Sequence, residues 1–333
     1  MSQRMIKELI PREELLDSGH LACPGCGAAL AMRLVLKGLG EKTIVSLPAC
    51  CWTIIAGPWP QSSLHVPLFH TAFETSASTA AGIKAALEIR GDNETTVLAW
   101  GGDGGTFDIG LQALSGAAER NDDIIYVCYD NEAYMNTGIQ RSSATPWGAW
   151  TTTTPGEHWK IHPKKDILAI LAAHRIPYAA SACVSYPDDL IAKVQKARSV
   201  RGTKFLHVLA PCPPGWKCSD EESIALGRMA VQSRVFPLME VEYGERWRFS
   251  MEHAGDPVAA YIRRQGRFRH LNEEQIAAIQ EQVNARWELL ERRVRGDATA
   301  SPSALRAAGA SGGTESASGE TAWPPLLTEV SPM

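Results

Sequence analysis

The chain has 333 residues, of which 44% are hydrophobic and 21% charged, and its formal net charge is −4. This length and apolar content suit one large α/β domain with extensions, and the negative charge argues against a nucleic-acid binder, which normally carries a basic surface. The N-terminus lacks the apolar stretch of a signal peptide. The sequence contains no run of about 18 apolar residues, the length that would predict a membrane span. Eight cysteines are too few for a disulfide scaffold, so we expect a cytoplasmic protein with reduced or metal-bound thiols.

Strand-like and helix-like segments alternate after a short N-terminal arm, predicted over residues 1–18. Near-continuous apolar runs predict strands buried on both faces at 42–47, 95–105, 124–134 and 204–212. Helical periodicity predicts helices at 27–39, 76–89, 107–120 and 187–199. This alternation predicts an α/β fold with a doubly wound, mostly parallel sheet, in which ligands bind at the carboxyl ends of the strands.

The chain after Cys212 is predicted to be an accessory region. One helix and a strand are expected over residues 215–249, and a further helix begins after Asn272, a favourable N-cap. From Gly296 onward Ala, Ser, Gly, Thr and Pro dominate, which predicts a disordered tail with a short docking segment at WPPLL. The predicted domains are therefore the arm (1–18), the α/β domain (19–240), a C-terminal helical extension (241–295) and the tail (296–333).

The segment GGDGG, residues 101–105, places an aspartate between glycines where a predicted strand leads into a helix. Glycines let a backbone approach a phosphate, and a helix N-terminus offers unpaired N–H groups. Asp103 would repel a phosphate unless a cation lay between them, and magnesium is bound by one or two protein oxygens together with phosphate oxygens. Taken alone, G-D-G is equally compatible with a simple turn.

A second oxygen ligand is expected at the end of the next strand, where Asn131 follows Asp103 by 28 residues. Alternation along the strand end should turn Asp130 and Glu132 away from Asn131. The G-D-G…N pattern resembles the diphosphate-binding motif of thiamine diphosphate enzymes. That resemblance implies that Asp103, the Asn131 side chain and the Ala133 carbonyl bind Mg²⁺.

Cys23 and Cys26 form a C-P-G-C turn that could hold zinc, an iron–sulfur cluster or a redox disulfide. A zinc ribbon requires a second C-x-x-C, which the sequence lacks. A thioredoxin-like pair should follow a strand, and the preceding LLDSGHLA does not predict one. Four thiolates gathered from separate loops suit a [4Fe–4S] cluster.

Two further cluster ligands would come from strand ends on the ligand-binding edge. Cys50 or Cys51 follows the strand at 42–47, and Cys212 ends the strand at 204–212, with Cys218 its rival six residues later. The remaining two cysteines lie inside apolar segments and are predicted to be core thiols; they are Cys128 and Cys183.

Three segments together carry a specific resemblance to a known family. GHLACPGCG, the stretch from GGDGG to TTTTP (101–155) and APCPPGW (210–216) are similar to the β subunits of pyruvate:ferredoxin oxidoreductase (pyruvate synthase). These are the thiamine diphosphate-binding subunits of the 2-oxoacid:ferredoxin oxidoreductase superfamily. The similarity covers roughly residues 15–270, and it implies a fold of the thiamine diphosphate-binding type.

The resemblance also implies site residues. In the family a C-x2-C, a third cysteine after 24 intervening residues and a distant fourth hold one [4Fe–4S] cluster, and the same interval separates Cys26 from Cys51. The implied cluster ligands are thus Cys23, Cys26, Cys51 and Cys212. The implied thiamine diphosphate–Mg²⁺ residues are Gly102, Asp103, Gly104, Gly105, Thr106, Asn131, Ala133, Asn136 and Thr137.

Two of these positions, Asn136 and Thr137, are the implied catalytic residues at the reacting end of the cofactor. A neutral amide at Asn136 could donate to a developing oxyanion, although the N-T-G sequence that contains it is also compatible with a simple turn. The polar segment TPWGAWTTTTP (145–155) is too rich in Thr and Gly for a core strand. We predict that it forms an ordered loop over the cofactor.

The implied reaction is the oxidative decarboxylation of a 2-oxoacid, with pyruvate the first candidate: CoA and oxidised ferredoxin give acyl-CoA, CO2 and reduced ferredoxin. The chain carries one diphosphate-type half, so an α-type subunit should supply the glutamate that activates the aminopyrimidine. Glu74 is the in-chain candidate, and we assign it to a helix start. A γ-type subunit and a ferredoxin-like δ-type subunit with two [4Fe–4S] clusters complete the implied complex.

Alternatives of other classes stay open at this point. The same chemistry on 2-oxoisovalerate, phenylglyoxylate or oxalate fits the pattern, as does a final acceptor other than ferredoxin, such as NAD through another subunit. A non-redox thiamine-dependent decarboxylase would leave the C-x-x-C incidental. A zinc-stabilised assembly subunit would bind no thiamine diphosphate.

Overall fold

An eight-stranded, mostly parallel sheet forms the centre of the molecule, as seen in a computed structural model that describes residues 10–58 and 60–296. The strands are β1 (Thr43–Pro48), β2 (Leu68–Thr71), β3 (Thr96–Gly102), β4 (Ile125–Asp130), β5 (Tyr178–Cys183), β6 (Lys204–Leu209), β7 (Met239–Glu242) and β8 (Arg246–Phe249). Their order across the sheet is β2-β1-β3-β4-β6-β5-β7-β8, and only β7 and β8 are antiparallel to their neighbours. The predicted doubly wound, mostly parallel fold is confirmed.

Helices cover the sheet and connect its strands. They are α1 (Gly27–Leu39), α2 (Cys51–Ile55), α3 (Ser76–Ile89), α4 (Leu111–Arg120), α5 (Ile167–Ala173), α6 (Pro187–Ser199), α7 (Pro213–Trp216), α8 (Ser223–Gln232), α9 (Val258–Arg263) and α10 (Glu273–Arg295). A π-helical turn, Gly104–Ile109, precedes α4. Short 3-10 turns lie at Gly156–His158, Asp220–Glu222 and Gly266–Phe268.

Local sequence signals explain several helix ends. The predicted N-cap Asn272 accepts a hydrogen bond from the Gln275 N–H at 2.9 Å, while the Gln275 side chain accepts from the Asn272 N–H at 2.9 Å. This reciprocal pair satisfies two backbone donors at the start of α10. At the other end of a helix, α1 stops at Gly40, whose φ of 81° suits glycine.

The core lies on both faces of the sheet, because successive side chains of a strand point to opposite faces and both sets are apolar. One buried cluster joins α1 and α6 to the sheet, with members such as Val35, Leu190 and Leu98. A second lies on the opposite face and includes Leu114 of α4 and Ile167 of α5. These layers exclude water from the sheet and fix the strand ends relative to one another.

The structure differs from the sequence prediction in several elements. The predicted strands end earlier than expected, so that β3 stops at Gly102 and β4 at Asp130. Strands β2 and β5 were not predicted, and the helix expected over 107–120 is divided into the π-helical turn and α4. Strand β2 is at an edge of the sheet, whereas β5 lies inside it between β6 and β7 and runs parallel to β6, so the fold class is unchanged.

The domain boundaries can be compared with the described residues only in part. Within the predicted arm, Leu15 and Leu16 pack in the core, and Leu16 forms a bridge with Leu64. The sheet continues to Phe249, so the boundary predicted at residue 240 falls inside strand β7. Residues 1–9 and the predicted tail beyond Gly296 lie outside the described residues. Among the described helices, none combines the length and apolar character needed to cross a membrane.

Candidate functional site

Three adjacent parallel strands, β3, β4 and β6, end at the same edge of the sheet. Gly102 pairs with Tyr129, and Asp130 pairs with Leu209, so these ends are in register. Parallel sheets bind ligands at this edge, where the strands lead into helices and loops. The predicted phosphate-binding segments, the Cys50–Cys51 pair and Cys212 follow these strands or their neighbour β1, whereas the C-P-G-C turn precedes the helix Gly27–Leu39.

The G-D-G segment connects β3 to the π-helical turn. Its surroundings leave little space for side chains at the two glycines that follow Asp103. A Cβ atom added to Gly104 would lie 2.3 Å from Cε1 of Tyr134, and one added to Gly105 would lie 3.3 Å from the Phe73 ring. The Thr106 hydroxyl donates to the Gly102 carbonyl at 2.8 Å, which closes the first turn. The N–H groups at such a helix start have no carbonyl partner within the helix, and they face the strand ends.

Asp103 is a buried carboxylate with no cationic partner. Its side chain is 1% exposed, and Oδ2 accepts a hydrogen bond from the Ser142 hydroxyl at 2.5 Å. Burial, and then the negative charge of Asp130, raise the pKa of Asp103 well above its usual value. No Lys, Arg or His nitrogen lies within 4.0 Å of Asp103 in the described part of the chain. A divalent cation here would relieve the cost of burying this charge.

Three oxygen atoms converge beside Asp103. The amide oxygen of Asn131 lies 2.9 Å from Asp103 Oδ1 and 3.0 Å from the Ala133 carbonyl oxygen. No hydrogen joins these atoms in this orientation, whereas a reversed amide would donate its NH2 group to both. Adjacent ligands in an octahedron with metal–oxygen distances of about 2.1 Å are separated by about 3.0 Å. These spacings fit Mg²⁺ when the amide oxygen faces Asp103, and an amide in the reversed orientation would turn over when the metal binds.

The acidic residues that flank Asn131 are occupied by cations. Asp130 lies 2.5 Å from the Lys164 ammonium and 2.6 Å from His207 Nε2, and Glu132 lies 2.6 Å from Arg267. Burial alone would raise the pKa of Asp130, but Lys164 and His207 lower it. Both carboxylates are thus already paired with cationic side chains. This agrees with the expectation that they point away from the magnesium position.

The two predicted catalytic residues lie at the tip of a hairpin that follows the Asn131 loop. Tyr134 and Gln140 form a bridge, and Asn136 and Thr137 lie exposed between them. The Thr137 hydroxyl donates to the Gln140 side chain at 2.6 Å. The hairpin tip is accordingly fixed in shape and open to whatever covers this edge of the sheet.

The threonine-rich segment at 145–155 is an ordered loop without regular structure, as predicted. Thr152 N–H donates to the Ile139 carbonyl at 2.9 Å, and its hydroxyl donates to the Gly138 carbonyl at 2.7 Å. The Thr153 hydroxyl accepts from the Arg141 N–H at 2.9 Å. The loop therefore holds the hairpin that carries Asn136 and Thr137.

The C-P-G-C turn lies against the segment that ends β6. Cys26 N–H donates to the Cys23 carbonyl at 3.2 Å, and Gly27 N–H donates to the Pro211 carbonyl at 3.0 Å. Gly25 has a φ of 68° and no space for a side chain, because a Cβ atom there would lie 2.3 Å from the Asp220 carbonyl oxygen. The turn is therefore held directly beside Cys212.

The cysteine pair after β1 divides into two different environments. The Cys50 side chain caps α2, accepting from the Thr53 N–H, and Cys51 N–H donates to the Tyr129 hydroxyl at 3.1 Å. Burial raises the pKa of Cys51 to about 12, and Cys50, Cys26 and Asp103 add to the rise. Cys51 is thus close to both the C-P-G-C turn and the magnesium position.

The surroundings of Cys212 include the other three predicted ligands. Burial raises its pKa to about 12, and the thiols of Cys26, Cys51 and Cys23 contribute further. Cys218 lies apart from them, since the charges that act on its thiol are those of Glu222 and Arg267. The other two cysteines, Cys128 and Cys183, are buried in β4 and β5 as predicted.

A hydrogen bond joins the two halves of the site. Trp216, at the end of the short helix α7 that begins after Cys212, donates from Nε1 to the Asn131 carbonyl at 2.9 Å. Trp216 is fully buried. The segment that contains Cys212 is therefore tied to the loop that carries Asn131.

The donor sets differ from those of simple metal sites. Within residues 10–58 and 60–296, no three side chains of His, Cys, Asp or Glu are arranged to hold a single metal ion. The three-oxygen site uses one carboxylate, one amide and one carbonyl, and the four thiols would enclose a larger iron–sulfur group. Buried thiols of raised pKa lose their protons when such a group binds.

Several residues of this site were not predicted from the sequence. Ser142, Lys164, Arg267 and Trp216 reach it from loops far along the chain, and no local pattern marks them. Glu74, the in-chain candidate for activating the aminopyrimidine, is exposed just before α3, as its assignment to a helix start requires.

Comparison with protein families places the chain among thiamine-dependent proteins. Residues 51–208 match the family model described as "Thiamine pyrophosphate enzyme, C-terminal TPP binding domain". This interval contains the G-D-G segment, the Asn131 loop and the hairpin, and it begins at Cys51.

Similar proteins of known name are subunits of 2-oxoacid oxidoreductases. The ketoisovalerate oxidoreductase subunit VorB of Pyrococcus furiosus is 50% identical over 295 residues, covering 85% of this chain and 94% of that subunit. The pyruvate synthase subunit PorB of Methanocaldococcus jannaschii is 50% identical over 297 residues, covering 86% and 99%. The PorB subunit of Pyrococcus horikoshii is 40% identical over 320 residues, covering 85% and 96%.

A solved structure has a similar fold. A chain of the 2-oxoglutarate:ferredoxin oxidoreductase from Magnetococcus marinus superposes with a TM-score of 0.55 at 20% identity, covering 81% of this chain and 95% of that one. At this identity the match supports the architecture.

Proposed function

The chain belongs to the β subunits of the 2-oxoacid:ferredoxin oxidoreductases, and from that premise we propose that it is the catalytic subunit of a pyruvate-oxidising complex. In this proposal the chain holds thiamine diphosphate through Mg²⁺ and, beside it, one [4Fe–4S] cluster. The complex converts a 2-oxoacid, CoA and oxidised ferredoxin to acyl-CoA, CO2 and reduced ferredoxin. The observation that carries the proposal is the convergence of Asp103, Asn131 and Ala133 oxygens, joined through Trp216 to the four-cysteine cluster.

The magnesium part of the proposal rests on the donor set. Asp103 Oδ1, Asn131 Oδ1 and the Ala133 carbonyl would hold Mg²⁺, and the backbone of Gly104 and Gly105 would receive the diphosphate. A side chain at either glycine would displace Tyr134 or press on Phe73, so the close backbone approach depends on glycine.

Thiamine diphosphate supplies the carbanion chemistry when it is bound. The residues of this chain orient it, and they exclude water from its charged end, because Asp103, Asn131 and Glu132 are all buried. We assign the reacting end to the hairpin. There the Asn136 amide would donate to the developing oxyanion, and Thr137 would position substrate.

The cluster part of the proposal rests on four thiols from three segments. We assign Cys23, Cys26, Cys51 and Cys212 as its ligands. The helix-capping role of Cys50 and the separate surroundings of Cys218 support this choice over the alternatives. A cluster bonded to Cys212 would lie one short helix away from Asn131, so an electron leaving the cofactor site would have a short distance to travel.

The partners and location belong to the same proposal. An α-type subunit supplies the activating glutamate, a γ-type subunit completes the core, and a ferredoxin-like δ-type subunit carries electrons onward through two [4Fe–4S] clusters. The naming of the relatives as subunits supports an assembly of this kind. We place the complex in the cytoplasm, in line with the eight free cysteines of the described residues.

A second substrate class is favoured by the comparisons. The relatives named for pyruvate and for ketoisovalerate are both 50% identical to this chain. We therefore take 2-oxoisovalerate as the alternative substrate.

The experiment is an anaerobic assay of the purified complex with CoA and a viologen dye as electron acceptor. The substrates are pyruvate, 2-oxoisovalerate, 2-oxoglutarate and phenylglyoxylate. We expect the highest kcat/KM with pyruvate. A preference for 2-oxoisovalerate would select the alternative, and CO2 release from every 2-oxoacid without dye reduction would contradict the oxidoreductase assignment.

A further inference from the structure

One segment contacts all three parts of the proposed magnesium site. The segment 160–165, with the sequence KIHPKK, carries three lysines, which we call the lysine segment. The three parts are the G-D-G helix start, the Asn131 loop and the turn that contains Ser142. Each lysine reaches a different one of them.

Lys164 contacts the Asn131 loop on both sides of Asn131. Its ammonium lies 2.5 Å from Asp130 and 2.8 Å from Glu132, whose side chains are 0% and 4% exposed. The Glu132 N–H also donates to Asp130 at 2.9 Å, and Glu132 has a φ of 71°. This unusual backbone conformation, which turns Ala133 toward Asp103, is thus held by an ion pair that spans it.

Lys160 contacts the turn that carries Ser142. Its buried ammonium donates to the carbonyls of Thr145 at 2.5 Å and Ser143 at 3.1 Å. Ser142 in turn donates to Asp103 at 2.5 Å. Because these carbonyls are tied to one ammonium, the Ser142 hydroxyl is aimed at the carboxylate before a metal arrives.

Lys165 contacts the helix start that follows Asp103. Its ammonium donates to the Phe107 carbonyl and lies 3.7 Å from Asp108 Oδ1. Its backbone N–H donates to the Ser143 carbonyl at 3.0 Å. Lys165 therefore links the G-D-G helix to the same turn that Lys160 holds.

The distribution of cationic partners among the carboxylates of the site favours Asp103 as the metal ligand. Lys164 and Arg267 neutralise Asp130 and Glu132, and Lys165 lies beside Asp108, whereas Asp103 receives only the Ser142 hydroxyl. Within the described residues, Lys164 is the cation that contacts both carboxylates; without it Asp130 would keep His207 and Glu132 would keep Arg267, but no ion pair would span Asn131. The geometry of the Asn131 loop would then be held less firmly.

We propose that the lysine segment preorganises the magnesium site: Lys164, supported by Lys160 and Lys165, fixes the Asn131 loop and leaves Asp103 as the one carboxylate free for the metal. These are positioning residues, since none of them contacts the three-oxygen position itself. The proposal rests on the proposed function, because it assumes that Mg²⁺ and thiamine diphosphate bind at Asp103.

The test compares Lys164→Met with wild type in the complete complex. The readout is the MgCl2 concentration that gives half-maximal binding of thiamine diphosphate, measured by titration calorimetry after removal of bound metal with EDTA. Removing a residue that orients metal ligands weakens metal binding by about 10–100-fold. We expect the half-saturating Mg²⁺ concentration to rise by at least about tenfold, and Lys164→Arg to restore most of it.

Lys204→Met is the matched control. Lys204 is also buried, with 4% exposure against 18% for Lys164, and pairs with Asp123 at 2.6 Å, but it lies at the opposite end of β6. We expect this variant to lower the melting temperature and leave the Mg²⁺ requirement within about twofold of wild type, within the context dependence of such values. An equal rise of the half-saturating Mg²⁺ concentration in Lys164→Met and Lys204→Met would overturn the proposal.

Lys165→Met keeps the proposal testable if Lys164→Met fails to fold, because Lys165 is 32% exposed and easier to replace. Its Mg²⁺ requirement should rise by about threefold or more, and an unchanged value would contradict the role of the segment. The same measurements distinguish a failure of the proposed function from a failure of this inference. Wild type that binds no thiamine diphosphate contradicts the proposed function, whereas normal wild-type binding with unaffected lysine variants contradicts only this inference.

Discussion

Replacing Asp103 with asparagine should separate the stability of the empty fold from its capacity to bind cofactor. The Asp103 carboxylate is 1% exposed and accepts one hydrogen bond, from Ser142. Burial raises its pKa well above the usual value, so the charged form destabilises the protein when no cation is present. We expect the Asp103→Asn complex in EDTA to unfold at the same temperature as wild type or at a higher one.

The magnitude of the cofactor effect follows from mass action. A ligand present at 100 times its dissociation constant stabilises the folded state by about 2.7 kcal/mol. In a domain of this size each kcal/mol raises the melting temperature by about 2–4 °C, so this free energy corresponds to about 5–11 °C. Wild type should therefore gain this increment when Mg²⁺ and thiamine diphosphate are added, and Asp103→Asn should gain none of it.

The assay is differential scanning calorimetry of the complex, with and without thiamine diphosphate and MgCl2. Asp123→Asn serves as the control, because Asp123 is also a partly buried carboxylate but pairs with Lys204 far from the site. This control should lose stability in EDTA and keep the cofactor increment. If Asp103→Asn gained the same increment of about 5–11 °C as wild type, the assignment of Asp103 as a metal ligand would be refuted.

Three further predictions follow from single residues. Cys212→Ser should remove the cluster of this chain, about one third of the iron of an anaerobically purified complex with three [4Fe–4S] clusters, while Cys218→Ser should retain it; equal iron in both would contradict the ligand assignment. Gly25→Ala should destabilise the C-P-G-C turn by about 2 kcal/mol or more, because its Cβ would approach a carbonyl oxygen at 2.3 Å; urea denaturation with an unchanged midpoint would argue against this. Burial lowers the pKa of His253 to about 4, so between pH 6.5 and 4 the unfolded chain binds more protons than the folded chain. The free energy of unfolding therefore decreases as the pH is lowered through that range. The loss should reach about 2 kcal/mol at pH 5, and His253→Gln should flatten the profile in denaturant titrations; an identical slope in both proteins would exclude His253 as its cause.

The central strands were predictable because their sequences are apolar on both faces. Strand β4 reads IYVCYD and β1 reads TIVSLP, with β-branched and aromatic residues that suit a buried parallel sheet. Two strands, β5 and β2, were not predicted, for different reasons. Strand β5, YAASAC, has no β-branched residue, and β2 has only four residues, two of which are exposed.

The proposed metal ligands were predictable because they lie next to strand ends. Asp103 follows β3 and Asn131 follows β4, and parallel strands bring such positions to one edge. The choice between Cys50 and Cys51 depended on which side chain caps α2, and spacing alone does not determine this. The structure separates the two thiols by their neighbours.

The supporting residues were not predictable from local sequence. Arg267 pairs with Glu132 across 135 positions, and Trp216 donates to Asn131 across 85. Such contacts depend on how the C-terminal region folds back over the sheet edge. A single sequence carries the residue types but no signal that pairs them.

The central claim is that this chain joins a thiamine diphosphate site to an iron–sulfur cluster, and elemental analysis tests it most directly. The full chain, purified without oxygen, is assayed for iron, acid-labile sulfide and zinc. The account predicts about four iron and four sulfide per chain, together with bound thiamine diphosphate when Mg²⁺ is present. Zinc in place of iron, or thiamine diphosphate without any iron, would contradict it.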